Sequence, residues 1–164
     1  MKLTSPAFHQ AGTIPFEFTG DGADVSPPLY WSDPPAGTQS FAIICLDPDA
    51  PQAEPWVHWL IYNIPSSTMN LSEAIAHTAT VSMPAPADQG LNSNGHIGYN
   101  GPLPPLGDGW HRYCFELFAL DTETLLPGGA TKQQLVEAMK GHVLASAVLQ
   151  GRYQRKTSAR RHAI

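Results

Sequence analysis

Three stretches of the chain consist mainly of apolar side chains, many of them β-branched or aromatic. A strand that is buried on both faces has this continuous pattern, whereas a strand with one solvated face alternates. The stretches are residues 40–46, 56–63 and 113–120. We therefore predict three central β-strands. Strict alternation along the second strand would place four side chains on one face: Trp56, His58, Leu60 and Tyr62.

Weaker patterns predict further strands, and one pattern predicts a helix. The weaker strand candidates are residues 14–18, 29–31 and 78–83, with a last strand at 147–153. Thr131 and Gln134 have the spacing of a helical capping box. Apolar residues then follow at helical spacing, at Leu135, Val136, Met139 and Val143, and Gly141 is expected to end or bend the helix. A short second helix has room to form before the final strand.

The segment between the second and third predicted strands is long for a loop. Residues 89–110 are rich in glycine, asparagine and proline. Loops of this length in compact domains are usually functional or disordered, and the prolines favour a rigid shape. We expect this loop to contribute to a functional site.

Composition narrows the class of protein. The 164 residues are 42% hydrophobic and only 14% charged, which is typical of one compact soluble domain. The net charge of -5 argues against a nucleic-acid partner. The first residues lack the apolar core of a signal peptide and residues 41–46 are too short to span a bilayer, so we expect no transmembrane segment and a cytoplasmic location.

Two cysteines lie inside apolar strand-like runs, at Cys45 and Cys114. Two buried thiols are the expected state, and a disulfide between neighbouring strands is the alternative. The last residues, 156–164, are polar and basic, and we expect them to be mobile.

Polar residues follow the predicted strands at their ends. Asp47 and Asp49 leave the first strand in the sequence Asp-Pro-Asp-Ala-Pro, His58 lies within the second, and His111 and Tyr113 begin the third. An aspartate before proline often only caps a turn, and a lone histidine in a strand is often a core residue. Two carboxylates, two imidazoles and a phenol together favour a small polar pocket, because buried polar atoms need partners.

Imidazole, phenol and backbone N–H groups are donors that gather around a phosphate or carboxylate. Asp47 and Asp49 would then orient the histidines or pair with a ligand's ammonium group. A metal site is a weaker alternative because no paired-histidine motif occurs. A hydrolase using His111 with Asp47 is the second alternative. For Arg112 we favour a structural salt bridge over contact with the anion.

A series of short blocks occurs along the chain in a fixed order. They include DPDAP at 47–51, HW at 58–59, YNIP at 62–65, GYNGP at 98–102 and HRY at 111–113. Together these blocks, spread over residues 3–155, resemble the phosphatidylethanolamine-binding protein (PEBP) family. The bacterial, Raf-kinase-inhibitor-like branch (YbhB/YbcL type) is the most similar.

The resemblance implies a mainly β fold with α: a large central antiparallel sheet flanked by a smaller sheet and by C-terminal helices. It implies one domain over residues 1–155, followed by the tail at 156–164. It also implies an anion pocket, whose predicted ligand-binding residues are Asp47, Asp49, Pro51, His58, Gly101, Pro102, His111 and Tyr113.

The expected function is non-enzymatic binding of a phosphate-type anion, with no catalytic residues, cofactor or metal. The ligand would be a phospholipid head group, a phosphorylated small molecule or a phosphorylated peptide. Regulation of a kinase or a peptidase by inhibition is a further implication of the family. The choice between a monomer and a homodimer stays open.

Overall fold

The computed structural model describes residues 1–82 and 85–157. Within these residues, ten strands and one α-helix follow each other, together with a 3-10 turn at Phe16–Phe18. In order they are β1 (Lys2–Thr4), β2 (Gly12–Thr13), β3 (Leu29–Ser32), β4 (Ser40–Asp47), β5 (Trp56–Pro65), β6 (Asn70–Leu71), β7 (Thr80–Val81), β8 (Ala87–Gln89), β9 (His111–Leu120), α1 (Lys132–Met139) and β10 (Val143–Tyr153). Within the described ranges, no helix has the length and apolar character needed to cross a membrane.

The strands form two sheets. The larger has seven strands in the order β2-β10-β9-β4-β5-β8-β7, and the smaller has three in the order β1-β3-β6. The predicted combination of a large central sheet with a smaller one is confirmed. Two details differ from the prediction: β2 pairs with β10 in parallel at the edge of the large sheet, and one α-helix rather than several is found among the described residues.

The large sheet is buried on both faces, as the continuous apolar patterns predict. Alternate residues of β4 enter two different cores. Phe41, Ile43 and Cys45 pack with the small sheet, whereas Ala42 and Ile44 face the opposite core, to which α1 contributes Leu135 and Met139. The three layers are therefore the small sheet, the large sheet and a short helix.

The helix begins as predicted and ends where glycine stops it. The Thr131 hydroxyl accepts from the Gln134 backbone N–H, and the Gln134 side chain accepts from the Thr131 backbone N–H. Gly141 adopts a φ of 80°, which terminates the helical path. Val143 therefore starts β10 instead of continuing the helix, and the last strand is four residues longer at its start than the predicted 147–153.

The weaker strand predictions had mixed outcomes. The strand at 29–31 is confirmed within β3. The prediction for 14–18 is wrong, because Pro15 precedes a 3-10 turn in which Phe18 N–H donates to the Pro15 carbonyl. Only Thr80–Val81 is strand within 78–83, and Met83 lies outside the described residues. Residues 158–164 of the predicted mobile tail also lie outside them.

Candidate functional site

A cavity of about 260 Å³ opens where the end of β4 meets the starts of β5 and β9. These three ends lie together because β4 runs antiparallel to both neighbours, with Asp47 opposite Trp56 and Leu46 opposite Cys114. The loop at 89–110 completes the wall, as expected for a functional loop. The cavity is lined by Asp47, Ala50, Pro51, Gln52, Trp56, His58, Asn94, Asn100, Gly101, Leu103, Pro104, Pro105, His111 and Tyr113.

Six of the eight predicted binding residues lie on this wall, and two do not. Those present are Asp47, Pro51, His58, Gly101, His111 and Tyr113. Pro102 lies behind the wall, where its carbonyl accepts from the Gly20 N–H at 2.8 Å. Asp49 is not among the lining residues and pairs with Arg112 instead. Trp56, for which the sequence left a wall position and a core position open, lies on the wall, and sequence reasoning missed the polar wall residues Gln52, Asn94 and Asn100.

His58 is an extra residue in β5. The pairing of β5 with β4 shifts at this point: Val57 lies opposite Leu46, but Trp59 lies opposite Cys45. This β-bulge breaks the alternation. The prediction that His58 shares a face with Leu60 and Tyr62 is therefore wrong, because those two pack in the helix-side core. The His58 ring instead meets the Tyr113 ring edge-on, with centroids 5.1 Å apart.

Asn100 of the loop fixes the orientation of His58. The backbone N–H of Asn100 donates to the His58 carbonyl at 2.9 Å. In return, His58 Nδ1 lies 2.5 Å from the Asn100 carbonyl oxygen. A carbonyl only accepts, so Nδ1 carries a hydrogen. Burial lowers the pKa of His58 more than the neighbouring carbonyl and carboxylates raise it. The ring is therefore neutral near pH 7, and its Nε2 carries a lone pair.

His111 has the opposite electrostatic setting. Its Nδ1 lies 2.7 Å from Asp47 Oδ2, and its Nε2 lies 2.6 Å from Asp108 Oδ2. Burial favours the neutral ring, but the hydrogen bonds to both carboxylates outweigh it and raise the pKa of His111. Two carboxylate partners require two N–H donors, which only the imidazolium has. Sequence reasoning missed Asp108, whose signal is an aspartate between two glycines three residues before His111.

Asp49 holds Arg112 and not a histidine, so the prediction that both aspartates orient histidines is correct for Asp47 alone. The Arg112 guanidinium donates from Nε and Nη2 to the two Asp49 carboxylate oxygens at 3.0 and 2.9 Å. These hydrogen bonds lower the pKa of Asp49. The predicted structural salt bridge of Arg112 is present and half-exposed. It ties the turn after β4 to the start of β9.

Tyr113 brings a buried donor to the cavity. Its side chain is 1% exposed, and its hydroxyl has no hydrogen-bond partner in the described part of the chain. Burial raises the pKa of Tyr113 strongly, so the phenol keeps its proton. A buried hydroxyl without a partner costs about 1–3 kcal/mol and is uncommon. An acceptor inside the cavity would satisfy it.

Gly101 forms its part of the wall through its backbone. The Gly101 N–H donates to Asp24 Oδ1 at 2.6 Å. A Cβ atom at this position would lie 2.4 Å from the Phe18 carbonyl oxygen, so a larger residue cannot fit without moving the chain. The loop is thereby held against the segment that precedes β3.

The structure bears on two alternatives from the sequence, a disulfide between the cysteines and a metal site. Cys45 and Cys114 are both free, so the disulfide alternative is wrong. Burial raises the pKa of each, which keeps both as thiols. Across residues 1–82 and 85–157, no three histidine, cysteine, aspartate or glutamate side chains are arranged to hold a metal ion.

The fold and the sequence define the class of protein. A profile of the phosphatidylethanolamine-binding protein family matches residues 4–154, and the chain belongs to that family. UPF0098 proteins are similar along nearly the whole chain. The one from Methanothermobacter thermautotrophicus is 46% identical, covering 94% of this chain and 99% of the relative. The one from Aquifex aeolicus is 44% identical, with 94% and 89% covered.

Two solved structures share the fold. A phosphatidylethanolamine-binding protein homologue of Chlamydia trachomatis, CT736, superimposes with a TM-score of 0.84 at 40% identity, covering 94% of this chain and 97% of that one. Escherichia coli YbcL, described as a member of the mammalian PEBP family, gives a TM-score of 0.86 at 31% identity, with 93% and 97% covered. The predicted resemblance and fold class are confirmed.

Proposed function

We propose that this protein binds phosphate-type anions in the cavity at the end of β4 and does not catalyse a reaction. The Tyr113 hydroxyl carries the proposal: it is buried on a residue that lines the cavity and has no partner within residues 1–82 and 85–157. An anionic oxygen that accepted from this hydroxyl would remove the penalty of an unmade hydrogen bond. The ligand would be a phospholipid head group, a phosphorylated small molecule or a phosphorylated peptide.

The size of the cavity supports a head group rather than a whole lipid. Its volume of about 260 Å³ falls just below the range of about 300–1,000 Å³ that is usual for drug-sized ligands. Trp56 and Leu103 add apolar surface near the mouth, where the rest of a ligand would leave.

His58 gives the proposed binding a proton dependence. Its Nε2 is a lone-pair acceptor near neutral pH, so it repels a fully deprotonated anion. It can accept a hydrogen from a protonated phosphate, or take up a proton and then donate. Either route adds one proton to the complex. We therefore expect phosphate affinity to rise as the pH falls from 8 to 6.

The hydrogen bonding of His111 disfavours the hydrolase that would use this residue as its base. Both nitrogens of His111 donate to carboxylates, which leaves no lone pair for a general base. The proposed hydrolase using His111 with Asp47 would first have to break one of these bonds. A nucleophilic cysteine is disfavoured by the raised pKa values of Cys45 and Cys114.

Calorimetric titration with inorganic phosphate at pH 6.5 tests the proposal. Wild-type protein should bind one phosphate with a millimolar or tighter Kd, and Tyr113→Phe should bind roughly tenfold more weakly. Chloride in place of phosphate, at matched ionic strength, separates site binding from screening. Heat release without saturation, or equal affinity in the two proteins, would contradict the proposal.

Turnover of p-nitrophenyl phosphate in the same samples separates binding from hydrolysis. We expect none above the uncatalysed rate. Hydrolysis that Tyr113→Phe or His58→Gln abolishes would favour the enzyme. Regulation of a kinase or a peptidase stays a prediction from the family, and a pull-down with and without competing phosphate tests it.

A further inference from the structure

The Asp108 carboxylate occupies one of the two N–H donors of His111, a residue that lines the cavity. Asp108 Oδ2 lies 2.6 Å from His111 Nε2. The two side chains differ in exposure: that of His111 is 3% exposed, whereas that of Asp108 is 47% exposed. Asp108 therefore reaches a buried cation from the outside and can return to solvent without unfolding the core.

The Asp108 side chain can make this movement by rotation alone, while its backbone N–H stays bonded to the Pro105 carbonyl at 3.1 Å. Gly107 and Gly109 flank it with φ values of 76° and 83°, a region that other residues rarely adopt. A Cβ atom on Gly109 would meet no other atom within 4 Å. The segment is held on both sides of Asp108. Gly107 N–H donates to the Arg155 carbonyl at 2.9 Å. On the other side, the Arg152 guanidinium lies 4.2 Å from the Trp110 ring centroid.

The charges at this end of the sheet oppose a further anion as long as Asp108 stays in place. His111 contributes one positive charge, and Asp47 and Asp108 contribute two negative charges at hydrogen-bond distance. Asp49 and Arg112 neutralise each other. When Asp108 swings away, His111 and Asp47 leave a neutral pair with one N–H free to donate.

We infer that Asp108 is a specificity-determining residue, an internal carboxylate that an incoming anion must displace from His111 Nε2. This inference rests on the proposed binding of anions in the cavity. A tethered carboxylate has a high effective concentration at Nε2. A free carboxylate offers the same chemistry without the tether and is rejected. A phosphomonoester brings more oxygens and up to two charges, so it displaces Asp108 where a carboxylate does not.

Asp108→Ala tests the inference, with Asp121→Ala as the matched control. Asp121 makes the same kind of pair, with His142 Nδ1 at 2.7 Å, but at the opposite end of β9. Phosphate and acetate are titrated calorimetrically into each protein at pH 6.5. Removing Asp108 should tighten phosphate binding roughly tenfold and make acetate binding measurable. The control should match wild type for both anions.

The outcomes separate the inference from the function on which it rests. If wild type binds phosphate and Asp108→Ala binds it equally or more weakly, Asp108 is not a competitor and the inference fails while the proposed function stands. If neither protein binds phosphate, both fail. Asp108→Asn, which keeps the shape and removes the charge, should tighten phosphate binding by a smaller factor. If Asp108→Ala does not fold, the phosphate affinities of Asp108→Asn and wild type decide the question in the same way.

Discussion

Asp47 and His111 are 64 residues apart in the sequence, and their buried side chains meet at 2.7 Å where two central strands of the large sheet end and begin. Asp47 is the last residue of β4, and His111 is the first residue of β9. The pair therefore joins two neighbouring strands at the end that carries the cavity. It also fixes the ring whose other nitrogen meets Asp108.

Asp47→Asn should destabilise the fold by about 1–3 kcal/mol at pH 6, because an amide replaces a buried charged acceptor. A raised pKa means that the stabilisation from charged His111 is full below its unfolded pKa and disappears as the pH rises through its folded pKa. The loss should therefore be smaller at pH 9. Urea unfolding at the two pH values measures it. The control is Asp121→Asn, in the half-exposed pair with His142, whose free energy of unfolding should fall by under about 1 kcal/mol. An equal loss for Asp47→Asn at both pH values would argue against a charged pair between Asp47 and His111.

The two cavity histidines should titrate on opposite sides of the ordinary histidine pKa of about 6.5. Burial lowers the pKa of His58, whereas two carboxylates raise that of His111 above what its burial alone would give. Between about 6.5 and the lowered folded pKa, the unfolded chain takes up a proton at His58 more readily than the folded protein does. The free energy of unfolding therefore decreases as the pH falls through this range. Proton NMR of the imidazole rings follows both titrations, and His58→Gln assigns the signals. The idea would be refuted if His58 titrated above His111.

Tyr113→Phe should leave the free energy of unfolding unchanged or raise it by up to about 1 kcal/mol, because the deleted hydroxyl has no partner to lose among the residues that the structure describes. Tyr62→Phe is the matched control. The Tyr62 hydroxyl donates to the Pro127 carbonyl at 2.6 Å and accepts from Ala130 N–H at 3.2 Å, so its loss should cost about 1–2 kcal/mol. Guanidinium unfolding measures both variants. A loss for Tyr113→Phe as large as that for Tyr62→Phe would mean that the hydroxyl is satisfied within the fold.

Arg112→Gln should have little effect on phosphate affinity, since its guanidinium binds Asp49 outside the cavity. Its effect on thermal stability should depend on pH. Hydrogen bonds from Arg112 lower the pKa of Asp49, so the stabilisation is present above the ordinary aspartate pKa and is lost as the pH falls through the lowered one. Calorimetric Tm values should thus differ slightly between wild type and variant at pH 7 and converge as the pH falls below the ordinary aspartate pKa. A large loss of phosphate binding would place Arg112 in the site.

The sequence predicts the central strands and the helix start from local chemistry, and it predicts six of the fourteen residues of the cavity wall. Continuous apolar runs mark β4, β5 and β9, and the pairing of Thr131 with Gln134 marks the helix start. Antiparallel pairing then brings the polar residues at the end of one strand next to those at the start of its neighbours.

The parts that sequence reasoning missed depend on contacts between distant segments. The bulge at His58 is set by the register between β4 and β5, which no single strand encodes. The choice of partner for Asp49 depends on the side of β9 from which Arg112 emerges, 63 residues later. The segment at 14–18 looked like a strand because its apolar residues alternate, yet Pro15 leads into a tight turn.

The extra residue in β5 makes the site dependent on residue count as well as residue identity. Val57 and Trp59 pair with adjacent residues of β4 because His58 is inserted between them. A deletion of Val57 would straighten the ladder and put His58 opposite Leu46, so that its side chain takes the place of Val57 on the helix side of the sheet. A homologue with such a gap in its alignment would lose the imidazole from the cavity even if it kept every polar residue of the wall.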